Sequence, residues 1–187
     1  MNEVNQYILD TIKSHVWGGF DTPDDIQEVI SDLLEEGADE KMLRESVSTE
    51  FMKKLEAEKS WPKVTDIDRL ESVFLTLKTN GILCLHNAGY TMSDGHEDSN
   101  EALSSYPKDK FFGYCFYHGQ DLERAVSGEG LMLAYDHVNG DVPENINVAQ
   151  TIQKALKKAG FDVEWDGTTN QRLSIPKFDW KHRANSR

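Results

Sequence analysis

Phe111-Phe112-Gly113-Tyr114-Cys115-Phe116-Tyr117-His118, then Gly119-Gln120-Asp121-Leu122-Glu123-Arg124-Ala125-Val126, then Leu131-Met132-Leu133-Ala134-Tyr135-Asp136-His137-Val138 lie at the centre of the chain. They read as strand, short helix, strand. In the first segment Phe112, Tyr114, Phe116 and His118 alternate with Phe111, Cys115 and Tyr117, so both faces are apolar and the strand belongs inside a sheet. The polar residues His118, Gln120, Asp121, Asp136 and His137 sit where the apolar pattern stops.

Upstream, Leu70, Val73, Phe74 and Leu77 have the spacing of a packed helix that Thr65 opens and Asn80-Gly81 ends. Gly81 leads into the short buried strand Ile82-Leu83-Cys84-Leu85-His86-Asn87. The turn-forming residues from Ala88 to Ser99 predict a loop, followed by a weakly patterned helix from Asn100 to Ser105. Downstream, Asn139-Gly140 turns the chain, and Val148, Ile152, Ala155 and Ala159 predict a helix over Asn147–Ala159. Phe161–Trp165 and Arg172–Pro176 read as a hairpin around Asp166-Gly167. The basic tail from Lys177 to Arg187 is expected to fray after Trp180.

The first sixty residues read as helices. Val4, Ile8, Ile12 and Val16 form one stripe, and Ile26, Val29, Ile30, Leu33 and Leu34 a second. Leu43, Val47, Phe51 and Leu55 form a third. Lys59-Ser60-Trp61-Pro62 marks the joint. The expected architecture is α+β: a mixed sheet of about five strands flanked by helices, preceded by a helical region. Residues 1–60 form that region and 61–187 the sheet domain with its basic tail. The strands are read as parallel where helices cross over and antiparallel at the terminal hairpin, an all-antiparallel arrangement being the alternative.

The chain has 187 residues and a net charge of −13. Residues 1–60 carry 15 acids and 6 bases, and the remainder 18 acids and 14 bases. Phosphate backbones and anionic membranes repel such a protein, so neither nucleic acid nor membrane is an expected partner, whereas a basic protein suits the charge. A solvated acidic surface that only keeps the protein soluble is the favoured account of the charge. No apolar run approaches the roughly 20 residues of a membrane span, and the first residues lack the pattern of a signal peptide. Cys84 and Cys115 lie in apolar runs as small hydrophobes. A cytoplasmic location is therefore expected.

If the three central strands run the same way, their carboxyl ends line up, and ligands bind outside such ends. That would bring together His86, Asn87, His118, Asp136 and His137, with Gln120 and Asp121 entering at the next helix. Asp94, His96, Glu97 and Asp98 would lie on the loop above. Imidazole and carboxylate groups are metal ligands and general bases. The spacing is unspecific: there is no HExxH and no CxxC pair, so no metal ligand set is assigned. Histidine also serves as a polar cap on an apolar core. The phosphate-binding GxxxxGK[ST] loop and the GxSxG elbow are both missing. Asp94-Gly95-His96-Glu97-Asp98 fails the spacing of a calcium loop and reads as an acidic turn. Asp121 can cap the helix, Gln120 can tie the loop to backbone, and Arg172 can pair with Asp166 across the hairpin.

Several stretches resemble a bacterial family catalogued only as a domain of unknown function. They are Thr65-Asp66-Ile67-Asp68-Arg69-Leu70, Gly81-Ile82, Gly113 through Asp121, Leu131 through Tyr135, Trp165-Asp166-Gly167, Arg172 and Trp180-Lys181-His182-Arg183. The resemblance spans roughly residues 61–183, weaker in the N-terminal helices, and its most distinctive part is Tyr117-His118 with Gln120-Asp121. Some similar proteins carry a small cysteine cluster where this chain has Ala88 to Gly95, and this chain has none there. The resemblance implies no activity or cofactor.

These readings lead first to a soluble, acidic, non-catalytic binding protein for a protein partner or small ligand. A metal- or His-dependent hydrolase is the alternative, with His118, Asp121 and His86 as candidate catalytic groups. Gln120, Asn87, Asp136 and His137 are the candidate ligand contacts.

Overall fold

A computed structural model describes residues 2–140 and 142–183 of the chain. They form two compact units, one ending at Thr65 and completed by the segment from Lys181, the other Asp66–Trp180.

The first unit holds α1 (Glu3–Gly18), α2 (Pro23–Leu33) and α3 (Glu40–Glu58). Each starts on a side-chain cap: Asn2, Thr22 and Asp39 accept a hydrogen bond from the third backbone N–H beyond them. Ile8, Ile12, Val16, Ile26, Ile30, Leu43 and Val47 form the core, as their spacing predicts. The third stripe departs from expectation at its end, where Leu55 is 52% exposed and Lys54 is fully buried. Lys54 lies seven residues beyond Val47 and so repeats its face, whereas Leu55 is turned a further 100°. Lys54 Nζ donates to the Val16 carbonyl at 3.0 Å and lies 4.0 Å from Glu58. Burial pulls its pKa down to about 8, with Glu58 opposing the shift. The chain does not fray immediately after Trp180: the buried His182 ring has Nδ1 2.8 Å from the Gly18 carbonyl. Gly19, at φ +84°, leaves room for that ring, since a Cβ there would stand 2.8 Å from it. The last residues of the expected fraying tail, 184–187, lie outside the described residues.

The second unit runs α4 (Asp66–Thr79), β1 (Ile82–Leu85), α5 (Met92–Ser104), β2 (Gly113–Phe116), α6 (Gly119–Val126), β3 (Leu131–His137), α7 (Val142–Lys158) and β4 (Leu173–Ile175). The strands form one four-stranded sheet in the order β1-β2-β3-β4. The fold is α+β with a mixed sheet. β1 and β2 are parallel, while β3 is antiparallel to both β2 and β4. The expectation that all three central strands run the same way therefore fails at β3. Gly113 pairs with His137 and Phe116 with Ala134, so the α6 connection leaves and re-enters the sheet at one end. An eight-residue helix is about 12 Å long, and here it folds back rather than crossing over.

The expected fifth strand is a single bridge between Glu164 and Ser174. Two residues further on in the antiparallel direction is Pro176, which has no N–H to give to a ladder. On the other side Asp166 Oδ1 accepts from Thr168 N–H and turns the chain away.

One sheet face, with Ile82, Cys115 and Leu133, packs with α4 residues Leu70, Phe74 and Leu77 and α7 residues Val148, Ile152 and Leu156. The other, with Leu83, Tyr114, Phe116 and Ala134, packs with Met92 and Ala102 of α5. Cys84 and Cys115 are register partners across β1 and β2 and are not joined in a disulfide. The α5 helix begins eight residues before the predicted one, so Asp94, His96, Glu97 and Asp98 are helical rather than in a loop. Thr91 and Asp94 form its capping box. Its polar sequence hides the packing stripe, which is partly made of small residues. A Cβ on Gly95 would lie 2.2 Å from the Phe116 ring, so only glycine allows this approach. Among the described residues no helix is long and apolar enough to cross a membrane.

Candidate functional site

His118 ends the β2 alternation and caps α6. Its Nδ1 accepts from the Asp121 N–H at 3.4 Å, and Asp121 Oδ2 accepts from the His118 N–H at 3.3 Å. This reciprocal capping box uses His and Asp in place of the commoner Ser or Thr and Glu. With Nδ1 occupied as acceptor, the ring proton sits on Nε2, which lies 3.2 Å from Asp121 Oδ2.

Arg172 completes the cluster from just before β4. Its Nη1 donates to both Asp121 oxygens, at 2.9 and 2.8 Å, and stands 3.4 Å from His118 Nε2. Its partner is thus Asp121 and not Asp166, whose side chain is taken up by Thr168. Asp121 is 1% exposed and His118 4%. A carboxylate so buried requires a cation or several donors, and Arg172 with His118 supplies them. The His118 pKa is lowered, chiefly by burial and further by Arg172, against the opposing pull of Asp121 and Asp94. A proton on both ring nitrogens would also break the cap.

The other residues expected at this edge disperse. β1 and β2 do end together, but His86 projects to the α4 face, where its Nδ1 lies 3.0 Å from the Tyr117 hydroxyl and its ring packs on Phe74. His118 belongs to the opposite face. Asn87 adopts φ +48°, and its buried Oδ1 has no hydrogen-bond partner among the described residues. Gln120 is exposed, its backbone N–H tied to the Tyr90 carbonyl.

Asp136 and His137 lie toward the far end, because β3 runs backwards past β2: they pair with Tyr114 and Gly113. The His137 N–H donates to Asp136 Oδ1 and Asn145 Oδ1, and its ring Nδ1 is 3.1 Å from Glu144. Among the described residues no three His, Cys, Asp or Glu side chains are grouped to hold a metal.

A pocket opens beside this cluster, with a volume of about 230 Å³. Its polar wall comprises His96, Tyr135, Asp136, Asn145, Gln171 and Arg172, with Met92 and Ala134 as apolar patches. His118 and Asp121 do not line it. Arg172 belongs to both regions: its Nη1 is bonded to Asp121 and the residue also lines the pocket. His96 Nδ1 lies 2.9 Å from the Tyr114 hydroxyl, whose pKa burial and Asp136 push up to about 12. Tyr135, with its hydroxyl 3.1 Å from Trp165 Nε1, holds the loop that carries Thr169 and Gln171.

Of the expected ligand contacts only Asp136 reaches this pocket. Asn145 and Gln171 carried no motif. The available signals were His96, which its place in the sequence already set over this edge, and Arg172, a cation beginning the run into an apolar strand.

The molecule is thus an α+β protein with a buried, closed ionic cluster behind an open polar pocket. The family model for Domain of unknown function (DUF6891) matches residues 1–184, and the chain belongs to that family. The match takes in the N-terminal helices as fully as the sheet unit. Neither a curated protein nor a solved structure matches the chain.

Proposed function

We propose that this is a non-catalytic binding protein that takes a small polar ligand in the pocket between α5, β3 and the segment before β4. The observation that carries this reading is the division of labour at Arg172. Its guanidinium is anchored by buried Asp121, and the side chain, 28% exposed, lines a pocket that also holds other polar groups. Prepositioned polar groups in a concavity are what orient a bound small molecule. The volume, about 230 Å³, suits a compact one.

The hydrolase reading receives less support. A general base must reach the proton it removes, yet both His118 ring nitrogens face Asp121 groups below the surface. A cytoplasmic setting belongs to the proposal, supported by Cys84 and Cys115 packing among apolar residues as small hydrophobes. The net charge of −13 favours a small-molecule or basic-protein partner over nucleic acid.

The test is a set of amide correlation spectra with a panel of sugars, nucleosides, carboxylic acids and amino acids. The expected outcome is ligand-dependent shifts at residues 134–136, 145 and 171–172. Trp165 emission should move with them, because its indole is tied to Tyr135. Shifts from no panel member, or only outside the pocket, would sink the reading.

A further inference from the structure

We infer that the pocket selects a small amino acid, holding its carboxylate on Arg172 and its ammonium on Asp136. This rests on the pocket being the ligand site. Some polar atoms of the pocket are already engaged and others are not. Every side-chain hydrogen bond that Arg172 makes among the described residues comes from Nη1. Nε and Nη2, the remaining donors of the planar fork, are left for a ligand, and their geometry matches a carboxylate. Because Asp121 already fixes the guanidinium from behind, little rotamer freedom is lost on binding.

The opposite charge stands on the same sheet face. Asp136 Oδ1 accepts from the His137 N–H, and Oδ2 has no partner among the described residues. Arg172 directly precedes Leu173, which pairs with Leu133, so Asp136 lies roughly 7 Å along β3 from the position opposite Arg172. A pocket with only the arginine would accept any small anion, and one with only the aspartate any amine. Both together repel simple anions from Asp136 and simple cations from Arg172, and a zwitterion satisfies both. An α-amino acid carries both charges at neutral pH. Asn145 Nδ2 is a further uncommitted donor, since only its Oδ1 is engaged. Met92 and Ala134 offer apolar surface to a short side chain.

The test titrates the full chain with individual L-amino acids at millimolar concentration, read by amide spectra. For each binder it adds the N-acetyl form, which lacks the ammonium, and the amide form, which lacks the carboxylate. At least one small amino acid is expected to shift pocket resonances, with both blocked forms about tenfold or more weaker. Asp136→Asn should erase the penalty for N-acetylation. Arg172→Lys, which keeps a cation beside Asp121, should weaken carboxylate recognition. If Arg172→Lys unfolds, Asp136→Asn alone decides.

An N-acetyl form that binds as well as its parent overturns the inference. So does pocket binding by a sugar, nucleoside or simple carboxylic acid with no amino acid bound, although the pocket then stands as the ligand site. Silence from every compound fails both.

Discussion

Each unit buries an ionisable side chain, and the two handle it in opposite ways. In the sheet unit Asp121 is met by the Arg172 guanidinium and by both the ring and the backbone of His118. In the helical unit Lys54 has a carbonyl at hydrogen-bond distance and a carboxylate at 4.0 Å, and its affinity for the proton falls instead. Burial is tolerable by the first route because opposite charges are brought into contact, and by the second because the charge can be shed. The first route builds a rigid anchor and the second leaves a pH-sensitive one.

The largest effect should come from breaking the paired cluster. Arg172→Ala leaves the Asp121 carboxylate buried without its cation, and equilibrium urea denaturation should register a loss of about 3–5 kcal/mol. A loss under about 1 kcal/mol would mean that the pair behaves like a surface contact.

Next is Lys54→Met. A buried ammonium replaced by an apolar chain of similar length should gain about 1–3 kcal/mol at pH 7, less the hydrogen bond to Val16. The pH dependence has a definite sign. The folded pKa of about 8 lies below the ordinary 10.5, so between them the unfolded chain binds the proton and the folded one does not. Wild-type stability should therefore rise from about pH 8 to pH 10.5, and the variant should lack that rise. A flat wild-type profile would show that Lys54 stays charged or is more hydrated.

Third, His118→Asn keeps a side-chain cap and should cost less than His118→Leu, which should lose about 1–2 kcal/mol. Ligand shifts in the pocket should survive His118→Asn. Their disappearance in a folded protein would return His118 to the functional site. The smallest effect is reserved for Leu55→Ser, expected within about 0.5 kcal/mol because the side chain is exposed. A loss of 2 kcal/mol would restore Leu55 to the helical core.

Elements with strong apolar periodicity were legible from the residues. The stripes of α1, α2 and α4 and the buried runs of β1, β2 and β3 reappear in the cores. What periodicity cannot encode is strand direction, and that single unknown moved Asp136 and His137 away from His118. The α5 helix was hidden for a different reason: its stripe includes Gly95 and Ser99, residues that signal turns when read alone. The site was less legible than the fold. His118 and Asp121 were visible because both are polar and follow an apolar strand, and a cap and a catalytic pair leave the same trace. Arg172 was visible as a residue, but its partner lies 51 positions away, and no local pattern reports that distance.

That separation also bears on synthesis. At the ribosome's pace of about 5–20 residues per second, Arg172 emerges several seconds after Asp121. During that interval β3 has no β4 beside it and Asp121 has no guanidinium. The helical unit waits too, since His182 closes over Gly18 only once nearly all the described chain is out. The nascent protein therefore passes through a stage in which both units have most of their core residues and neither has its final clasp. Holdase chaperones would meet it at that stage, and ribosome-bound chains whose Arg172 has not cleared the exit tunnel should be cut by protease where the released chain resists.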